Sequence, residues 1–203
     1  MNISIIGVSD SFARNLADWA IKAGHNITFV GPSYQQAVEF VNELGVGKPV
    51  GPEAPLQDEV IFIAIPYFCL QPVLQTYEQQ LGKKIVIDLI TPVDLGTFQL
   101  IRPAEGSTSL EIKKHWNKSE VVKAFNAQLS GKFLMPNEPI ENQNEVFLAG
   151  DEEAKRVASR LFREGGLTIV DAGTIHEAND LEIMGYLQME SPVLLNLKRK
   201  SVL

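Results

Sequence analysis

Apolar residues follow two alternating patterns along the chain. Short continuous apolar runs, typical of buried strands, are separated by stretches in which apolar residues recur every three or four positions, as on one face of a helix. These patterns predict strands at 2–6, 26–30, 59–66, 83–89, 120–126, 145–150 and 167–173. They predict helices at 12–23, 33–44, 68–81, 107–116, 151–164 and 176–198. The segment 45–58 is rich in glycine and proline, so we expect only a short third strand there.

The alternation of strands and helices predicts the fold. Strands that are each followed by a helix form parallel sheets covered by helices on both faces. Right-handed crossovers then favour a doubly wound sheet. We therefore predict an α/β fold, Rossmann-type and doubly wound, with a mainly parallel sheet and helices on both faces. We expect a single domain over 1–203, in which 145–203 is a C-terminal strand and helix extension.

Composition narrows the class of partner. The chain has 203 residues, 45% of them hydrophobic, and its 25 acidic and 18 basic residues give a net charge of -7. This charge argues against nucleic acid and against an acidic membrane surface, but a local backbone site can still bind a small anion. No apolar run approaches the roughly 18 residues of a membrane span and no leader pattern is visible, so we expect a cytoplasmic protein. Since Cys69 is the single cysteine, we expect no disulfide and no metal site.

The turn after the first predicted strand, in "IIGVSDSFARNLA", resembles a phosphate-binding turn with altered residues. A three-glycine pattern would fall on Gly7, Asp10 and Ala13, and alanine is accepted at the last position. Asp10 is unfavourable because a carboxylate repels a pyrophosphate. Asp10 or Ser9 can instead be read as the N-cap of the first helix. The candidate cofactor-binding residues here are Gly7, Ser9, Asp10, Ser11 and Phe12.

The end of the second predicted strand tests the choice of nicotinamide cofactor. An acidic residue there would bind the ribose 2′-hydroxyl of NAD, whereas a basic residue would accept the 2′-phosphate of NADP. The segment "FVGPSYQQ" has neither, which leaves Ser33 and Tyr34 as polar candidates. Ser33 can donate to a phosphate, or it can act as the N-cap of helix 33–44. The segment favours NADP weakly.

A family resemblance covers nearly the whole chain. Its motifs are "AGH.ITFVG", "VIFIAIPY", "GKKIVIDLITPVD", "GSTSLEI", "EVVKAFN", "VFLAGDEEAKRVASRLFREGGLTIVDAG" and "EANDLEIMGYL". They resemble the NADP oxidoreductase family that includes coenzyme F420 (deazaflavin)-dependent NADP reductases, and the cytosolic domains of membrane ferric reductases are similar as well. The resemblance implies NADP(H) binding, hydride transfer at the nicotinamide C4, and a flavin or deazaflavin as second cofactor or another small-molecule acceptor. It also implies a homodimer, for which the apolar residues Leu194, Leu195, Leu197, Val202 and Leu203 offer a contact surface.

The resemblance also assigns residues around the nicotinamide. Ile65 and Pro66 match the step after the fourth strand, and Thr91 stands where the family usually has asparagine. Ala124 and Asn126 match the segment that lines the nicotinamide pocket. The Asn126 amide is suited to the carboxamide, with a strand-end turn as the alternative.

Predictions also concern a core aromatic residue, the tip of the second strand, the single cysteine and one histidine. We expect Phe125 to belong to the core rather than to the site. At the second-strand tip, Pro32 and Ser33 replace the usual Ser-Arg pair of the family, so the arginine for the 2′-phosphate is absent. Cys69 is either a thiol of lowered pKa near a helix start or a small buried apolar residue. His25 follows Gly24 at a helix end, where we expect a surface cap.

Two functional classes remain open from the sequence. One is an NADP-dependent oxidoreductase in which two cofactors are juxtaposed, so no catalytic side chain is assigned. The other is a Rossmann-like protein that has lost or weakened cofactor binding and acts as a regulatory or interaction module. Asp10 and the absent arginine favour the second class, whereas the segments around Pro66 and Ala124 favour the first.

Overall fold

The computed structural model describes residues 1–7, 11–79, 82–125 and 145–187, and of residues 11–13 and 15 only the backbone. The strands are β1 Asn2–Ile6, β2 Asn26–Val30, β3 Lys48–Val50, β4 Val60–Ile63, β5 Ile85–Asp88, β6 Glu120–Ala124, β7 Glu145–Gly150 and β8 Thr168–Asp171. The helices are α1 Ser11–Lys22, α2 Tyr34–Leu44, α3 Leu70–Tyr77, α4 Thr108–His115 and α5 Glu152–Glu164. Residues 178–187 are also helical (α6), and short 3₁₀ turns at Tyr67–Cys69 and Ile175–Glu177 precede α3 and α6.

The described strands form one sheet in the order β3-β2-β1-β4-β5-β6-β7-β8. The strands from β3 to β6 are parallel, in the order 3-2-1-4-5-6 that is typical of dinucleotide-binding folds. β7 runs antiparallel to β6, and β8 is parallel to β7. This arrangement confirms the predicted α/β, Rossmann-type, mainly parallel sheet. Strands β7 and β8 join the sheet that the first six strands form.

Each face of the sheet is covered by helices. One core cluster joins the sheet to α1, α2 and α5 through Leu16, Phe40 and Phe162. The other joins it to α3 and α4 through Leu74 and Ile112. Successive β4 residues alternate between the two clusters, because neighbouring side chains of a strand point to opposite faces. The prediction that this apolar run is buried on both faces is therefore confirmed.

Several element ends differ from the sequence predictions. The predicted strand 59–66 ends at Ile63, because Pro66 lacks an N–H group and restricts the residue before it. The predicted strand 120–126 ends at Ala124, since Phe125 has a φ of 64° and leaves the extended conformation. The predicted helix 176–198 starts with a 3₁₀ turn capped by Thr174 and becomes α-helical at residue 178. Residues 188–203, which include the apolar residues expected at a dimer contact, lie outside the described residues.

Candidate functional site

Most of the predicted site residues lie at one edge of the sheet. Because β1, β2, β4, β5 and β6 are parallel, their carboxyl ends meet at the same edge. The predicted residues that lie at or shortly after these ends are Gly7, Ser33, Ile65, Pro66, Thr91 and Ala124. Ser11 and Phe12 begin α1, but their side chains are not described. Ser9, Asp10 and Asn126 lie outside the described residues.

Gly7 marks the point where the strand order reverses. The chain passes from β1 to β2 on one side, and β4 lies on the other. Gly7 N donates to the carbonyl of Val30 at 3.1 Å, and Ala64 N donates to that of Ile6 at 2.9 Å, so both neighbours are held to the end of β1. In open α/β sheets, ligands bind in the crevice that opens at this point. Helix α1 begins four residues after Gly7, so its N-terminal N–H groups lie at the same edge.

A side chain at position 7 would not fit. Gly7 has a φ of 122°, and a β-carbon there would stand 2.0 Å from the carbonyl oxygen of Ala64. Both the backbone conformation and the contact therefore require glycine. The first glycine of the predicted turn is thus required by its close packing against Ala64.

Ser33 is confirmed as the N-cap of α2. Its hydroxyl oxygen accepts from Gln36 N at 3.3 Å, and it also lies 3.2 Å from the Gln36 side-chain oxygen. No basic residue follows in the first turn of α2. On the facing side of α1, Arg14 pairs with Glu43 and lies over the ring of Phe40. In the described part of this region, we therefore see no arginine placed as a clamp for a 2′-phosphate.

The end of β6 has an unusual backbone. Phe125 is in the left-handed region, which is uncommon for a bulky residue. Strand alternation would place it on the face of Val121 and Lys123, yet it packs in the opposite cluster with Val122. Its ring meets that of Phe162 edge on, with centroids 4.8 Å apart. Phe125 is 3% exposed, so its predicted place in the core is confirmed.

A buried charged cluster lies behind this edge, and the sequence reasoning missed it. Lys123 Nζ lies 2.9 Å from Asp88 Oδ2 and 2.9 Å from Glu182 Oε1, and all three side chains are at most 1% exposed. The Thr108 hydroxyl lies 2.6 Å from Asp88 and 2.7 Å from Glu182, and Ser109 donates to Asp88 at 2.7 Å. The available signal was a charged residue within or at the end of a buried apolar run, namely Asp88 at the end of "IVID" and Lys123 within "VVKA".

Tyr67, directly after Pro66, contacts a further buried carboxylate, that of Glu111. Its hydroxyl donates to Glu111, with oxygen distances of 3.1 and 3.3 Å. Burial, followed by the charge and hydrogen bond of Glu111 and the charge of Glu182, raises the pKa of Tyr67 to about 12. The protonated Tyr67 hydroxyl donates its hydrogen bond to Glu111.

The structure rules out one of the two alternatives for Cys69 and corrects the prediction for His25. Cys69 is half-buried, and burial raises the pKa of its thiol, so the helix start does not activate it. His25 is buried rather than a surface cap, because it lies beside Trp19 with ring centroids 6.2 Å apart. Its Nδ1 lies 3.2 Å from the amino group of Met1.

Two absences concern only the described parts of the chain. Across residues 1–7, 11–79, 82–125 and 145–187, no helix combines the length and apolarity needed to cross a membrane. Within the same ranges, no three His, Cys, Asp or Glu side chains are grouped so as to hold a metal ion.

Comparisons with known proteins bear on this edge. The metalloreductase STEAP3 of Rattus norvegicus is 26% identical over 199 residues, which cover 96% of this chain and 39% of that protein. The chain thus spans well under half the length of this curated relative.

Solved structures share the fold. A candidate F420-dependent NADP reductase from Arthrobacter sp. FB24 has a TM-score of 0.77 at 20% identity, covering 96% of this chain and 92% of that one. The Plasmodium falciparum pyrroline carboxylate reductase, solved with NADP bound, has a TM-score of 0.61 at 14% identity, covering 99% and 67%.

A family model matches the part of the chain that contains the crevice at the strand-order reversal. The matched residues, 2–92, include β1 to β5 and the turns at Gly7, Ser33 and Pro66. The resemblance predicted from the motifs is thereby confirmed: over residues 2–92 this chain matches the family of NADP oxidoreductases described as coenzyme F420-dependent, on a Rossmann-type fold.

Proposed function

We propose that this chain binds NADP(H) at the carboxyl edge of its sheet and transfers hydride between the nicotinamide and a flavin-like, deazaflavin-like or other small acceptor. The observation that carries the proposal is the contact of Gly7 with Ala64 at the strand-order reversal. Because glycine is required there, β1 and β4 stay paired up to the crevice, and α1 starts directly beside it. The family match over residues 2–92 supports the same cofactor.

Each part of the edge has a role in this proposal. The turn after Gly7 and the N-terminus of α1 would hold the pyrophosphate through backbone N–H groups. Ser33, at the tip of β2, would face the adenosine ribose and its 2′-phosphate. Ile65 and Pro66 would pass beneath the centre of the cofactor, while Thr91 and Ala124 would border the nicotinamide. Ser9 and Asp10, which lie outside the described residues, would belong to the first turn together with Ser11 and Phe12 at the start of α1. Asn126, also outside the described residues, would belong to the nicotinamide end.

Hydride transfer between two bound cofactors requires few catalytic side chains. A bound nicotinamide supplies or accepts a hydride at C4, and the protein contributes binding, orientation and exclusion of water. Near this edge, the Tyr67 hydroxyl is hydrogen-bonded to Glu111, and Lys123 is paired with Asp88 and Glu182, so these polar side chains are engaged with one another. The proposal therefore assigns no proton-transferring residue. The acceptor would have to stack against the nicotinamide on its open side.

A second candidate is a Rossmann-like interaction module that has weakened or lost the cofactor. Two observations favour it. The Ser33 hydroxyl is already engaged in capping α2, and Arg14 pairs with Glu43 rather than standing free. Asp10, on sequence grounds, adds a negative charge near the pyrophosphate position. The two candidates differ in one measurable property, the affinity for nicotinamide nucleotides.

The deciding experiment is a binding titration followed by an acceptor assay. We expect NADPH to bind saturably and more tightly than NADH. At 100 times its dissociation constant, NADPH should stabilise the fold by about 2.7 kcal/mol, a rise in Tm of roughly 5–10 °C. ATP serves as a control for nonspecific nucleotide effects. Absence of a saturable shift with either dinucleotide would contradict the oxidoreductase proposal and favour the module.

The acceptor assay follows only if NADPH binds. Oxidation of NADPH would be followed without oxygen in the presence of FMN, FAD or a deazaflavin. Hydride transfer to one of these identifies the acceptor class. Binding without transfer to any flavin-like compound would restrict the proposal to other small acceptors.

A further inference from the structure

The charged cluster formed by Asp88, Lys123 and Glu182 joins separate elements behind the candidate edge. Asp88 is the last residue of β5, Lys123 is in β6, and Glu182 is in α6. Asp88 and Lys123 are direct register partners in the sheet. Glu182 Oε1 also accepts from Thr108 N at 2.9 Å, so it meets the N-terminus of α4 as well. A single ammonium therefore holds two strands and two helices together.

Lys123 also contacts the segment directly before Thr91, one of the predicted nicotinamide contacts. Its ammonium donates to the carbonyl oxygen of Ile90, the residue directly before Thr91. The Asp88 carboxylate accepts from Ile90 N at 2.9 Å. Both backbone groups of Ile90 are thus fixed by the cluster. Since Ala124 directly follows Lys123, the same side chain fixes two neighbouring segments of the edge.

Stability alone is a poor explanation for this cluster. It contains two carboxylates and one ammonium, and Glu182 Oε2 is buried without a hydrogen-bond partner among the described residues. A buried ion pair gains little over well-packed apolar residues, because both charges lose their hydration. An unmatched buried acceptor oxygen is a further unfavourable feature. The cluster is therefore better explained by its effect on geometry, because it fixes the positions of the strands and helices that it joins.

The backbone at the end of β6 has to be held in place by contacts of this kind. Phe125 holds a left-handed backbone, a strained state that persists only where the surroundings determine it fully. Lys123 anchors the strand on one face of the sheet, and the Phe125 ring packs on Phe162 on the other. These two anchors, on opposite faces and two residues apart, fix the direction in which the chain leaves β6.

We propose that Lys123, held by Asp88 and Glu182, is a positioning residue that sets Thr91 and Ala124 relative to each other and so shapes the nicotinamide half of the NADP(H) site. The inference rests on the proposed function. It adds a specific claim, that the cluster acts on the nicotinamide half and leaves the adenosine half unaffected. Ser33 and Gly7, which would bind the adenosine half and the pyrophosphate, make no contact with the cluster among the described interactions.

The test compares two ligands that differ in the nicotinamide half. NADPH carries both halves, whereas 2′,5′-ADP carries only the adenosine half with its 2′-phosphate. In Lys123→Met, we expect the affinity for NADPH to fall about ten-fold or more, because small misplacements of contact groups have large effects. The affinity for 2′,5′-ADP should change less than about two-fold. The wild-type chain should bind both ligands.

Two additional variants test the proposal in case Lys123→Met does not fold. The triple variant Asp88→Asn, Lys123→Met, Glu182→Gln leaves no uncompensated buried charge, and it should show the same selective loss. Glu182→Gln alone retains the pair of Asp88 and Lys123 with balanced charge, so it should fold and lose about three-fold in NADPH affinity. If neither Lys123 variant folds, the Glu182→Gln result decides, and unchanged NADPH affinity there overturns the proposal.

A control variant comes from the other end of β6. Lys113 lies 2.8 Å from Asp151, which accepts from Val121 N at the amino end of the same strand. Lys113→Met should leave both affinities unchanged. Equal weakening of both ligands in Lys123→Met, or no weakening in a folded variant, would overturn the positioning role. A wild-type chain that binds neither ligand would overturn the proposed function itself, and the inference with it.

Discussion

Gly7 and Ala64 approach each other so closely that no residue with a side chain fits at position 7, at the end of β1. A β-carbon at position 7 would stand 2.0 Å from the Ala64 carbonyl oxygen and 2.8 Å from its carbonyl carbon. Backbone atoms cannot move away as a flexible side chain can. The crevice between β1 and β4 therefore depends on the absence of one methyl group.

Gly7→Ala should destabilise the fold and impair nucleotide binding. We expect a loss of about 3 kcal/mol or more, because a φ of 122° and the contact with Ala64 both oppose a side chain. Urea unfolding measures this loss. Gly24→Ala is the matched control, since Gly24 has a φ of 79° with no atom within 4 Å of its β-carbon position. That variant should lose about 1 kcal/mol. Equal losses would show that the contact with Ala64 contributes nothing.

Ser33→Asp should change cofactor preference without loss of stability. Aspartate is as good an N-cap as serine, so the Tm should be retained. The new carboxylate would repel a 2′-phosphate and lower NADPH affinity about ten-fold relative to NADH. Ser33→Ala should instead lose about 1 kcal/mol of stability with unchanged preference. Parallel weakening of both dinucleotides in Ser33→Asp would show that position 33 does not face the 2′-phosphate.

Asp10→Gly should tighten the binding of both NADPH and NADH, by about five-fold at low salt. Asp10 lies outside the described residues, and the expectation follows from the repulsion between a carboxylate and a pyrophosphate in the first turn. The gain should shrink as the salt concentration rises. Asp18→Asn, on the exposed side of α1, matches the change in net charge and should leave binding unchanged. Equal or weaker binding by Asp10→Gly would refute the repulsion argument.

His25 should make the fold sensitive to acid. Burial lowers the pKa of His25, and the Met1 ammonium lowers it further, while Glu164 acts in the opposite direction. As pH falls below about 6.5, the unfolded chain takes up a proton at this histidine before the folded chain does. Stability should therefore fall from about pH 7 to about pH 5. His25→Gln should show a smaller decrease in urea midpoint over this range than the wild type.

The control for this pH effect is His176→Gln, because His176 is exposed near the start of α6. It should retain the acid sensitivity of the wild type. An unchanged pH dependence in His25→Gln would assign the effect to other groups.

Strands buried on both faces are well predicted from the sequence. In β4, Ile61 and Phe62 pack in different clusters, so the strand needs apolar residues at every position and gives an unambiguous apolar run. The carboxyl edge follows from parallel pairing, and Gly7, Pro66 and Thr91 each follow a strand that ends at this edge. Alternation of elements cannot, however, show that β7 runs antiparallel to β6.

The charged cluster could not be assembled from the sequence. Asp88 and Lys123 are 35 residues apart in the chain and meet only because β5 and β6 pair in one particular register. A charged residue in an apolar run signals a buried partner without identifying it. Phe125 packs on the opposite face of the sheet from the one that strand alternation predicts, because its ring contacts Phe162. Phe162 belongs to a helix far along the chain, so the sequence could not reveal this contact either.

The outermost strands of the sheet have a consequence for the behaviour of the protein at high concentration. β3 has only three residues, and Pro49 at its centre has no N–H group to donate. At the other border, β8 has four residues and ends in Asp171, which is exposed and paired with Lys155. Short borders with proline or charge are poor templates for the addition of a further strand. Of the described strands, neither border strand therefore favours growth of the sheet into fibrils.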